Sequence, residues 1–235
     1  MSVPAAPPPP RSAGARYFAW LYSESAARDG VAALLAIEHE IMTGARGELD
    51  HAVAHARLAW WQDECARLHA AQPVHPAALA ARDAFLAAGL PPPDMRMLPE
   101  FAAARLACAS LGRETTAGAA AQDAARWTEA LFLPLVALSA AVARVDTGTA
   151  AAELRALGVA LCTHEQLRDE ATRTALRTTL AALPLPIRAA LRALIVWSTI
   201  ALRPVAVSRG ALLAENWIAW RAARAAAPPA QRSAG

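Results

Sequence analysis

The stretch Leu157-Gly158-Val159-Ala160-Leu161-Cys162-Thr163-His164-Glu165-Gln166-Leu167-Arg168-Asp169 decides how this chain is read. It is dominated by residues that lose little freedom in a helix, and it lacks the alternation of a strand. Read as helix, it sets Glu165 and Asp169 four residues apart, on one face. A second stretch has the same character. Ala33-Leu34-Leu35-Ala36-Ile37-Glu38-His39-Glu40-Ile41-Met42-Thr43-Gly44-Ala45-Arg46 leads on to Arg57-Leu58-Ala59-Trp60-Trp61-Gln62-Asp63-Glu64.

Outward from these two stretches the rest of the chain is helical by the same signs, with no Asn-Gly or Asp-Gly hairpin turn. The pattern predicts helices over Tyr17–Met42, Glu48–Ala71, Pro76–Ala88, Pro99–Leu111, Ala119–Val145, Thr149–Leu183, Pro186–Leu202 and Val207–Ala226. Gly44 and Gly47 end the first and Pro73 the second, while Pro76, Pro99 and Pro186 suit first turns. Pro134 is expected to kink the long fifth helix. The expected architecture is all-α: a single bundle of about eight helices over residues 16–224. A Pro- and Ala-rich tail (1–15) and a second tail (225–235) are expected to be disordered.

Composition narrows the function. The chain has 235 residues, enough to bury one sizeable core. It contains no lysine, so its basic residues are all arginines, and the formal net charge is +3. The missing lysine excludes a P-loop and a Schiff-base nucleophile. The arginines are mixed with acids along the helices, which argues against a nucleic-acid surface. Hydrophobic residues make up 56% of the chain, but alanine supplies about half of them. No run of about 18 uncharged apolar residues is present, so no transmembrane segment is expected. Cys65, Cys108 and Cys162 are odd in number and far apart, as small core residues of a reduced compartment would be. A cytoplasmic location follows, with contact at the periphery of the inner membrane as the variant.

Short motifs carry a resemblance. Arg16-Tyr17-Phe18-Ala19-Trp20-Leu21-Tyr22, Trp60-Trp61 with Asp63-Glu64, Pro73-Val74-His75-Pro76 and Leu167-Arg168-Asp169 together resemble the squalene/phytoene synthase family. The resemblance implies an isoprenoid-synthase-like bundle. It also implies a reaction in which two aspartate-rich motifs hold Mg²⁺ against a prenyl diphosphate, neutralising the charge of the leaving group. Laid over that pattern, Met42, Thr43 and Arg46 stand at the three aspartate positions of the first motif. In the second motif Asp169 keeps its place and Arg173 replaces the next carboxylate. Guanidinium cannot ligate a cation and repels one nearby. No metal site is therefore expected.

The first expectation is a non-catalytic squalene/phytoene-synthase-like protein that binds a lipid, an isoprenoid or a protein partner. The resemblance extends to a branch acting in respiratory complex I assembly, through Glu40-Ile41 and Trp60-Trp61. The alternative is a divergent head-to-head prenyltransferase acting on prenyl diphosphates. It would use Mg²⁺ on a shifted site with Glu40, Glu165 and Asp169 as catalytic candidates, joined by Glu38. Ligand-binding candidates are Arg46, Arg168 and Arg173, as direct diphosphate donors, and Trp61. The plainer expectation for the acids is pairing with Arg168, Arg173 and Arg46 in the bundle interior.

Other constellations are weaker. Glu48, His51 and His55 share one side of a helix and read better as an edge-of-core histidine pair than as a metal half-site. The tryptophans Trp60, Trp61, Trp127, Trp197, Trp217 and Trp220 are expected mainly to fill a core otherwise rich in alanine. Trp217 and Trp220 are the pair expected to be partly exposed, toward a partner or a membrane.

Overall fold

The computed structural model describes residues 14–45, 50–112, 116–203 and 209–226. Those residues are all-helical, with no strand among them. Arg46, Gly47 and Glu48 lie outside them, as do 1–13 and 227–235 of the two expected tails. Ala15, Ala225 and Ala226 are helical, so the helical body reaches slightly beyond the expected limits at both ends.

Several expected segments are divided. The first becomes α1 (Ala15–Leu21) and α2 (Arg28–Gly44). The cause is side-chain competition for backbone: Ser23 Oγ donates to the Ala19 carbonyl at 2.8 Å, and Arg28 donates to the carbonyls of Leu21 and Ser23. Next come α3 (His51–His69), capped by Asp50, then α4 (Pro76–Ala87) with His75 as N-cap, and α5 (Met97–Ser110). The long fifth segment is α6 (Ala117–Trp127), a π-turn over Thr128–Phe132, and α7 (Leu133–Ala143). Pro134 sits at the start of α7, so its missing N–H is absorbed by the π-turn.

The segment Thr149–Leu183 is likewise two helices, α8 (Ala151–Leu167) and α9 (Glu170–Ala182). Arg168 adopts the left-handed conformation (φ 54°) and Asp169 caps α9, its carboxylate accepting from the Thr172 N–H at 2.7 Å. The rest is α10 (Leu185–Ala190), α11 (Arg192–Ala201) and α12 (Arg209–Ala226).

Two glycines let helices close on one another. A Cβ on Gly30 would stand 2.6 Å from Leu138 and 2.7 Å from Ala84, where α2, α4 and α7 meet. One on Gly158 would stand 2.6 Å from Thr128 and 2.7 Å from Phe132, where α8 presses on the π-turn. The main core runs through α2 to α9 and α11, with Trp127, Trp197 and Phe132 among its largest fully buried side chains. A smaller cluster, Phe18, Val196, Ile200, Ala219, Ala222 and Ala223, joins α1, α11 and α12. The run Ala117–Ala143 is long and apolar enough to cross a membrane by length and composition. Its large side chains Trp127, Leu131, Phe132, Leu135 and Leu138 are nevertheless buried in the bundle.

Candidate functional site

Glu38 on α2 and Glu165 on α8 face each other across a cleft, with the guanidinium of Arg16 from α1 between them. Arg16 donates to both oxygens of Glu38, Nε to Oε2 and Nη2 to Oε1, each at 2.7 Å. It also reaches Glu165, at 3.3 Å to Oε2 and 3.5 Å to Oε1. Two indoles complete the clasp: Trp127 Nε1–H donates to Glu38 Oε1 at 3.0 Å, and Trp197 Nε1–H to Glu165 Oε1 at 2.8 Å. The Arg16 guanidinium lies 4.6 Å over the Trp197 ring, and the two indoles meet edge to face. Burial works against the charge on Arg16. The attraction of Glu165 and Glu38 and their hydrogen bonds outweigh it and hold the guanidinium pKa above its ordinary value.

The clasp opens on a cavity of about 250 Å³, whose wall also includes Met42, Phe101, Arg105, Cys162 and Gln166. Burial pushes the Cys162 thiol pKa up to about 12, which disfavours the thiolate. Gln166 donates to the Cys162 sulfur at 3.3 Å, while its amide oxygen is buried and has no hydrogen-bond partner among the described residues.

The sequence-derived candidates separate. Glu165 is in the clasp. Glu40 is not: it points toward α3 and pairs with Arg57 at 3.5 Å, both half-exposed. Asp169 is exposed and belongs to the cap of α9, so the break at Arg168 removes the face it was expected to share with Glu165. Arg168 is exposed as well, and Arg173 pairs with Glu170. The buried acids do take an arginine partner, but it is Arg16 and not Arg168 or Arg173. Arg46 lies outside the described residues.

Trp61 is buried against His75, ring centroids 4.8 Å apart, and does not line the cavity. His51 and His55 are exposed, with their Nε2 atoms 3.1 Å apart, and no third ligand joins them among the described residues. Arg16 is not among the expected site residues, and Trp127 and Trp197 are expected mainly as core. Arg16 lies 22 and 149 positions from its partners, and no spacing rule links them.

This donor set does not suit a Mg²⁺ cluster. Both oxygens of Glu38 and both of Glu165 are engaged by N–H donors, and Asp169 serves its own helix. A hard cation would have to displace a guanidinium already held by two carboxylates. The fold and site define an all-α protein with a carboxylate–guanidinium clasp at the mouth of a cleft. The chain matches no family model, no curated protein and no solved structure.

Proposed function

We propose that this chain is a non-catalytic binding protein of squalene/phytoene-synthase type, whose cleft takes a neutral, largely apolar ligand such as an isoprenoid alcohol. The observation that carries this reading is the Arg16–Glu38–Glu165 clasp. Its guanidinium bridges the two helices that resemble the family's metal-binding helices, where a cation would otherwise bind. Two carboxylates against one guanidinium leave the clasp with one excess negative charge, offset at the cavity wall by Arg105. That balance offers no surplus positive charge to a diphosphate. Met42, Phe101 and Trp127 supply the apolar wall, and Gln166 is the neutral polar side chain lining the same cavity.

The test is calorimetric titration with farnesol and with farnesyl diphosphate, each with Mg²⁺ and with EDTA, followed by a product assay. Farnesol is expected to bind equally in both buffers, with the diphosphate far weaker. Mg²⁺-dependent turnover of the diphosphate would overturn the proposal in favour of a divergent prenyltransferase.

A further inference from the structure

Helix α12 is built the wrong way round for a helix whose only task is to pack. The side it lays on α1 and α11 carries Ala219, Ala222, Ala223 and Ala226, all buried. Its two tryptophans point outward, Trp217 at 56% and Trp220 at 46% exposure. A guanidinium covers each ring: Arg221 stands 4.7 Å from the centroid of Trp217, and Arg224 stands 4.8 Å from that of Trp220. At 3.6 residues per turn these four side chains fall within about 100° of arc, opposite the alanines. The sole acid of α12, Glu215, is half-buried and outside that arc. Tyr17, Leu21 and Tyr22 of the neighbouring α1 segment, also half-buried, pack against the same small cluster.

We propose that this tryptophan–arginine face docks on an anionic lipid surface, with α12 lying along the bilayer interface. The chemistry of the face selects that partner. Indole rings combine an apolar body with an N–H donor and settle at headgroup depth. Guanidinium forks bond phosphate oxygens, and a cationic face without acids complements the negative potential of anionic headgroups. Large rings and arginines sharing one exposed helix face are the pattern of an interfacial helix. A protein partner would be met by the same charges, but nothing about this face supplies the pocket that anchors such a contact. The inference does not rest on the cleft or its ligand.

The test is partitioning of the full-length protein into vesicles of phosphatidylcholine alone and of phosphatidylcholine mixed with phosphatidylglycerol. Co-sedimentation and a blue shift of tryptophan emission are expected only with the mixed vesicles, and both should weaken as salt is added. W217A/W220A is expected to abolish partitioning while the melting temperature is held, because both side chains are exposed. R221Q/R224Q is expected to weaken it by roughly fivefold for each arginine removed. Equal partitioning of W217A/W220A and the unaltered protein would overturn the proposal. So would partitioning indifferent to phosphatidylglycerol. Absence of partitioning into the mixed vesicles would overturn it too.

Discussion

Two buried glutamates of this molecule hold arginine, and they do so in opposite ways. Glu64 on α3 is fully buried and accepts from the Val74 N–H at 2.8 Å, the His75 N–H at 2.7 Å and Arg67 of its own helix. Its partners are at most 11 residues away, and the Trp61 and His75 rings seal the corner. Glu38 is bound instead by side chains from α1 and α6, and its clasp reaches across 149 residues to Glu165 beside a cavity. Backbone donors with solid packing mark a joint between α3 and α4. Side-chain donors around a void mark a site. Trp61, Glu64 and His75 from the sequence motifs thus fix the joint between α3 and α4, whereas the charged groups beside the cavity are Arg16, Glu38 and Glu165.

The sharpest break between the two regions is expected from Glu64→Ala. Two backbone donors and the partly exposed Arg67 lose a fully buried acceptor at once, at about 2–4 kcal/mol of unfolding free energy. Denaturant unfolding measures it, and ligand binding by the surviving folded protein should be unchanged. A loss below about 1 kcal/mol would mean that the corner is wet and that the contrast drawn here fails.

Arg16→Met strikes the other region. It leaves Glu38 and Glu165 facing each other without a counter-charge, but Arg16 is 38% exposed, so about 2–3 kcal/mol is expected and not the full buried-pair loss. Adding Glu38→Gln should recover most of it, because the second change removes the more buried of the two uncompensated charges. Absence of recovery in the double variant would show that Arg16 acts through packing on Trp197 and not through charge. The same variant sharpens the functional reading, since Arg16→Met frees the carboxylates and should create Mg²⁺ affinity where the unaltered protein has little.

The third variant moves a helix and leaves both polar networks in place. Gly158→Ala puts a methyl group within 3 Å of Thr128 and Phe132, an overpacking of about 1–2 kcal/mol. The strain should lift α8, and Glu165 with it, from the π-turn. Farnesol affinity is expected to fall while the Glu64 corner is untouched. An unchanged affinity alongside a lowered melting temperature would separate the cleft from the seat of α8.

How much of this was legible beforehand follows from the range of each interaction. The all-α class rests on composition along the whole chain and could be read directly. The break at Asp169 was legible too, since an Asp followed by Glu170 and Thr172 is a helix-start signal. Reading Asp169 as a metal-motif residue hid it. The break before α2 was not legible, because it depends on where the Arg28 side chain turns. Glu38 and Glu165 stood among the expected acids, yet Arg16 could not be joined to them across 149 positions without the fold. Trp127 and Trp197 fill the core as expected, while their indole N–H groups serve the glutamates, which burial alone does not reveal.

The smallest effect expected is one of pH, and it belongs to the cleft side alone. His164 on α8 is buried next to Glu165, and its Nδ1 lies 3.0 Å from Thr172 Oγ1. Burial lowers its pKa below the ordinary 6.5; a hydrogen bond with the Ala201 backbone opposes this, and the charges of Arg173 and Arg168 add to it. A histidine with a lowered folded pKa binds its proton more readily when unfolded. Its contribution to stability is therefore complete above the unfolded value, and declines as pH falls through 6.5 toward the folded pKa. Melting temperature measured downward from neutral pH should fall in that window, and His164→Gln should flatten the fall relative to the unaltered protein. Glu64→Ala, which leaves His164 in place, should keep the same pH slope on a lower baseline. If the slope instead vanishes with Glu64→Ala and survives His164→Gln, the titrating group sits in the α3–α4 corner, and the division of labour between the two glutamates is reversed.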